Sequence, residues 1–153
     1  MDITLSQKER MLLEDQKNHE QICIEKYMNY GSQAKDTQLK QICKANEQME
    51  RSHLDSINQL LSGSIPQMNQ QQNQNSTQDV NSIQSVGTSL SDKDMCTDLL
   101  MTEKFVSGAY DTTIFEFRDT GVRDVLNHIQ KEEQKHGEAI FKYMESKGMY
   151  SVQ

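Results

Sequence analysis

The chain has 153 residues, a formal net charge of −7, one proline, seven glycines and no tryptophan. That length suits one domain with room for a core, the composition favours helices, and an acidic balance without a basic stripe argues against a nucleic-acid partner. No stretch approaches the roughly 20 apolar residues of a membrane span, and the residues after Met1 carry no signal-like apolar run. Cys23, Cys43 and Cys96 are odd in number and widely spaced. They predict neither a disulfide framework nor a thiolate zinc site, and point to synthesis in a reducing, cytoplasmic compartment.

Ser6-Gln7-Lys8-Glu9 is a capping-box pattern that predicts a helix from Ser6 to Tyr30, with Gly31 ending it. Its inner stripe is Leu13, Gln16, Glu20, Cys23, Ile24 and Tyr27, so Glu20 interrupts an otherwise mainly apolar face. Asp36 or Thr37 caps a second helix reaching Leu61, with Leu39, Ile42, Cys43, Glu50, His53, Ile57 and Leu60 inward. Gly63 and Pro66 stop it. Between Ser64 and Leu90 glutamine and asparagine dominate, a composition that buries too little apolar surface to offset ordering entropy. This tract is expected to be a mobile linker.

Ser91 and Asp94 open a third helix to Phe117, with Cys96, Leu99, Glu103, Val106, Tyr110, Ile114 and Phe117 on its inner face. Asp119 or Thr120 begins a fourth that ends at Gly148. Its stripe is Val122, Val125, Leu126, Ile129, Glu133, His136, Ile140, Tyr143 and Met144. The predicted organisation is one domain over 1–153: a helix pair at 6–63, the linker at 64–90 and a helix pair at 91–148.

The two pairs are copies of one pattern. Glu133-Gln134-Lys135-His136 repeats Glu50-Arg51-Ser52-His53 at an offset of 83 residues, and Glu103 repeats Glu20 at the same offset. A lone Glu-x-x-His is common on solvated helix faces; two in register, each with its upstream Glu, are not. Two antiparallel helix pairs joined by a long crossover predict an all-α, ferritin-like four-helix bundle, whose two-fold axis brings the six residues together at mid-height. Four carboxylates cannot all remain ionised in a core without compensation. Glu20, Glu50, His53, Glu103, Glu133 and His136 are therefore predicted to ligate two divalent cations, iron or manganese before zinc. Tyr27 and Tyr110, seven residues beyond Glu20 and Glu103, are candidate hydrogen-bond donors to those ligands. His19 and His128 have no repeat partner and are expected at the surface. No catalytic residue is assigned.

Residues 92–150 carry Asp98-Leu99-Leu100, Thr102-Glu103-Lys104, Glu132-Glu133, His136 and the ending Phe141-Lys142-Tyr143-Met144-Glu145-Ser146-Lys147-Gly148-Met149-Tyr150. In these the chain resembles the bacterial spore coat protein F family. The resemblance implies a coat or coat-associated protein of a spore-forming bacterium, with other coat proteins or further copies of itself as partners. The ligand pattern is similar to that of rubrerythrins, bacterioferritins and manganese catalases, which implies bridging roles for Glu50 and Glu133, terminal roles for Glu20 and Glu103, and one metal each for His53 and His136. Val106 stands where rubrerythrins carry an extra Glu, and no rubredoxin-like Cys-x-x-Cys supplies electrons. A coat component with a dinuclear site is thus the first reading; a di-iron or di-manganese oxidoreductase acting on oxygen or peroxide is the second.

Overall fold

A computed structural model describes residues 2–67 and 90–152. They form four helices: α1 (Gln7–Gln33), α2 (Thr37–Leu61), α3 (Asp92–Glu116) and α4 (Thr120–Ser146). Most of the predicted linker lies outside the described residues.

The helix starts follow from local side-chain chemistry. The Ser6 hydroxyl accepts the Glu9 N–H at 3.1 Å, while the Glu9 carboxylate accepts the Ser6 N–H at 2.9 Å, satisfying donors that the first turn leaves free. Asp36, Ser91 and Asp119 cap α2, α3 and α4. Gly63 and Gly148, at φ +93° and +69°, take the left-handed conformation beyond α2 and α4 that side chains disfavour.

Gly31 departs from the expected role. α1 continues through it to Gln33, and an added Cβ there would meet Cys43 Cβ at 3.0 Å. The glycine admits α2 close to α1, and tertiary packing has overridden the local stop signal. Two other expectations also shift slightly: Ile42 and Ile114 are half-buried, whereas Asn46 and Thr113 turn inward. At the far end of α2, Ile3 donates to Gly63 at 2.8 Å, and Ile65 packs against the core beside Gly121. The first residues of the predicted linker are thus part of the packed end of the bundle.

Side-chain partners give the directions of the helices. Lys26 meets Asp98 while Gln16 meets Thr113, so α1 and α3 are antiparallel; Asp36 meets Tyr143 while His53 meets Glu133, so α2 and α4 are too. With short turns inside each pair, α2 and α3 run the same way on opposite corners. The end of α2 and the start of α3 lie at opposite ends of the bundle, the relation that a crossover connection requires.

Two apolar clusters fill the interior. One is built around Ile57, Val106, Phe117, Val125 and Ile129, the other around Leu39, Cys43, Met95, Leu99 and Ile140. Burying such side chains contributes about 1.5–3 kcal/mol each before entropy is subtracted. A layer of charged residues separates the clusters at mid-height.

The repeat seen in the sequence is a structural two-fold. Glu9 accepts hydrogen bonds from the Arg118 backbone and side chain, and its counterpart 83 residues on, Asp92, accepts the N–H groups of Lys35 and Asp36. Lys35 and Arg118 are themselves counterparts. Each helix pair therefore closes the open corner of the other with a carboxylate at the matching position of the repeat.

Candidate metal centre

Each helix of the bundle contributes to the polar layer. Glu20 comes from α1, Glu50 and His53 from α2, Glu103 from α3, and Glu133 and His136 from α4. The i, i+3 spacing aims each Glu and His pair of α2 and α4 to one side. All six are buried: Glu20, Glu50 and Glu133 are 0 % exposed, and His136, the most accessible, is 5 % exposed.

The contacts obey the two-fold. His53 Nδ1 lies 2.9 Å from Glu133 Oε1, and His136 Nδ1 lies 2.9 Å from Glu50 Oε1. Tyr110 donates to Glu20 at 2.5 Å, and Tyr27 donates to Glu103. The imidazole rings face one another with centroids 5.8 Å apart. Each His also stands near the Glu of its own helix, His53 at 3.3 Å from Glu50 and His136 at 3.7 Å from Glu133.

Two sets of ligand-type atoms result. In one, atoms of Glu20, Glu50, His53 and Glu133 all lie within 4.8 Å of one another; in the other, the same holds for Glu50, Glu103, Glu133 and His136. Glu50 and Glu133 are common to both sets. A pair of cation positions sharing two carboxylates is the arrangement these donors can offer.

The electrostatics show what burial does to such a cluster. Burial raises Glu20 above the usual carboxyl range, against hydrogen bonds with Glu50 and His53. Glu50 is pushed up to about 7 by burial and by Glu20, and Glu103 to about 8 by burial and by Glu133. Burial also opposes charge on Glu133, but hydrogen bonds from Glu103, His136 and His53 outweigh it and hold this carboxyl below its ordinary range. The imidazoles would lose their protons on burial alone. Instead Glu132, Glu133, Glu20 and Glu50 hold His53 well above the usual histidine range, and Glu103, Glu133 and Glu50 push His136 up to about 11. Without a cation, protons compensate the carboxylates.

That compensation is incomplete in one respect. Glu20 Oε2, Glu103 Oε2, Glu133 Oε2, His53 Nε2 and His136 Nε2 are buried without a hydrogen-bond partner, and an unsatisfied buried polar atom costs about 1–3 kcal/mol. Carboxylate and imidazole donors fit iron, manganese or zinc, and the orphaned carboxylate oxygens are free to take up such a cation. The donor set and burial therefore fit the group predicted from the sequence. The tyrosines are placed to fix the outer carboxylates. Burial, followed by the adjacent carboxylates, raises both phenols, so each stays protonated as a donor.

One residue of the layer was given no site role by the sequence. Glu132 lies 3.6 Å from His53 Nε2 and 2.5 Å from His128 Nε2, linking the buried ring to a half-exposed one. Its counterpart in the first repeat is Met49, so His136 has no equivalent neighbour and the two-fold is broken here. His128 is exposed as expected. His19 is instead partly buried, packed edge-on against Phe105 with ring centroids 5.4 Å apart. The three cysteines are buried and unbridged, and among the described residues no helix is long and apolar enough to cross a membrane.

Fold and site together define an all-α four-helix bundle with a buried carboxylate–histidine layer. The family model described as the Coat F domain matches residues 91–153, the part of the chain that holds the second helix pair. No curated protein and no solved structure matches the chain. Glu103, Glu133 and His136 lie within the matched residues, while Glu20, Glu50 and His53 lie in the preceding helix pair.

Proposed function

We propose that this chain is a structural component of the spore coat, a single ferritin-like domain whose interior holds two divalent cations, iron or manganese. The observation that carries the cation reading is the sharing of Glu50 and Glu133, each 0 % exposed, by both ligand sets. The match to the Coat F domain supports the coat reading. Glu50 and Glu133 would serve both cations, with Glu20 and His53 completing one site and Glu103 and His136 the other. Tyr110 and Tyr27 hold Glu20 and Glu103 in place. Bound cations would neutralise the carboxylates and tie all four helices together. The oxidoreductase alternative has no observation of its own to set beside the family match.

Fractionating purified spores tests the coat reading directly: the chain is expected in coat extracts, and its confinement to the spore core or its loss with the mother cell would count against it. Glu132 supplies a sharper test of the centre. A carboxylate behind a metal-binding imidazole orients the ring and raises its basicity, and its loss typically weakens binding about 10–100-fold. Glu132→Met, which restores the symmetry of the repeats, is expected to weaken only the cation held by His53. Stepwise Co(II) titration followed by visible absorption would show two unequal sites becoming more alike; two unchanged steps would remove Glu132 from the account.

A further inference from the structure

Most of the exposed, helix-borne large apolar side chains lie on the outer face of α1 and α3. Met101, Phe105 and Phe115 of α3 are 61, 65 and 75 % exposed, and Met11 and Ile22 of α1 are 62 and 51 % exposed. Among the large apolar side chains of α2 and α4, Met49 alone is comparably exposed, at 38 %. The residues of α3 concerned have an order. Met101, Phe105, Gly108, Thr112 and Phe115 alternate steps of four and three, the seam of an antiparallel or parallel helix pair. Glu103, Tyr110 and Phe117, which point into the bundle, lie on the opposite side of the same turns. α3 thus carries two seven-residue patterns, one facing the cation layer and one facing out.

We infer that the outer seam of α3 is a self-association surface, on which a second copy of this chain packs its own α3 antiparallel about a two-fold axis near Gly108. The charges flanking the seam select this occupant and this direction. Lys104 and Asp111, both exposed, occupy equivalent positions one heptad apart on one side of the seam. An antiparallel partner places Lys104 of each copy against Asp111 of the other, giving two ion pairs from one surface. A parallel partner would instead bring Asp111 towards Glu116 and leave Lys104 opposite Ala109. Met101 meets Phe115 across the antiparallel seam, and Phe105 meets Thr112.

Gly108 lies at the crossing point, where nothing stands within 4 Å of an added Cβ. The position is open on its own chain, so a glycine is not needed there by the bundle. It lowers the helix propensity of α3 and lets a facing helix approach closely. Ile22 borders the seam where α1 and α3 form a groove with Met101 and Phe105, widening the apolar surface. A self-complementary patch of this kind is what a two-fold interface demands. For a coat component it would supply the first step of assembly.

Sedimentation velocity of the full chain at micromolar concentrations, with and without chelator, tests the inference. The expected species is a dimer. Phe105→Glu should raise the dissociation constant at least about 100-fold without changing helix content. Gly108→Leu should raise the melting temperature, through better helix propensity, while weakening the dimer. Lys104→Asp and Asp111→Lys should each weaken association, and the double variant should restore it. A chain that stays monomeric at hundreds of micromolar overturns the inference and leaves the seam to a different coat protein. A dimer indifferent to Phe105→Glu, or a double charge exchange without rescue, overturns it as well. Association does not depend on the cation reading: the dimer is expected with and without chelator, and only failure to take up metal on loading, a separate measurement, bears on the dinuclear centre.

Discussion

Glu133→Ala is expected to abolish most of the bound metal while leaving the four helices in place. Glu133 is fully buried, lies 2.9 Å from His53 and belongs to both ligand sets, so its loss removes a donor from each cation at once. The bundle survives because its apolar clusters lie to either side of the layer. Breaking a buried ion pair costs about 3–5 kcal/mol when the remaining charge has no other partner. Here His53 retains Glu50 at 3.3 Å and Glu20 at 3.8 Å, and those carboxyls, raised chiefly by burial, can ionise in its place. The metal-free variant should therefore lose only about 1–2 kcal/mol, below that range. Glu133→Gln separates shape from charge: it keeps the volume and should still lose metal. Full metal content in either variant, measured beside far-ultraviolet circular dichroism, would refute the shared-carboxylate arrangement.

The second large effect is thermal and depends on pH. A ligand bound only by the folded state at about a thousand times its dissociation constant stabilises by roughly 4 kcal/mol. In a chain of this size each kcal/mol moves the melting temperature by about 2–4 °C, so chelation should lower it by on the order of 10 °C.

The direction of the pH dependence differs between the two forms. In the metal-free protein Glu50 and Glu103 titrate at about 7 and about 8, above the ordinary 4.5, so in this window the folded state holds protons that the unfolded chain has lost. Stability must then fall as pH rises from about 5 to 8. His136, raised from 6.5 to about 11, contributes stability that is fully present below 6.5 and is lost as pH climbs towards 11, the same direction. Glu133, with its folded value lowered, loses its contribution only on acidification below the window. Cations displace the same protons, so their binding strengthens as pH rises. The gap between loaded and chelated melting temperatures should widen from pH 5.5 to 8. A metal-free protein that grows more stable across that window would contradict the description of the layer.

The fold was legible in the sequence because each helix carries its own cap and stripe, and the candidate layer because the same residues recur at one spacing in both halves. Comparing the halves at an offset of 83 residues picks out Glu20 with Glu103 and both Glu-x-x-His pairs. The same comparison discards what only one half possesses. Glu132, named only in the pair Glu132-Glu133 of the family resemblance, was left out of the site for that reason: its counterpart is Met49. Gly31 misled because a local rule for helix ends knows nothing of the Cys43 side chain that α1 must approach. The seam of α3 was hidden by superposition, since Met101, Phe105 and Phe115 add apolar residues to a helix whose inner stripe already accounts for its hydrophobicity. Glu9 and Asp92 were visible near helix starts, but their bonds to the opposite helix pair arise only once the two pairs dock.

The buried layer is proposed to be a centre for two cations. Elemental analysis by inductively coupled plasma mass spectrometry, on untagged protein dialysed after anaerobic loading with Fe(II) or Mn(II), tests it most directly. About two metal ions per chain are predicted from the two overlapping ligand sets. A metal content near zero after loading would contradict the claim and leave the six residues as a proton-compensated layer inherited with the repeat.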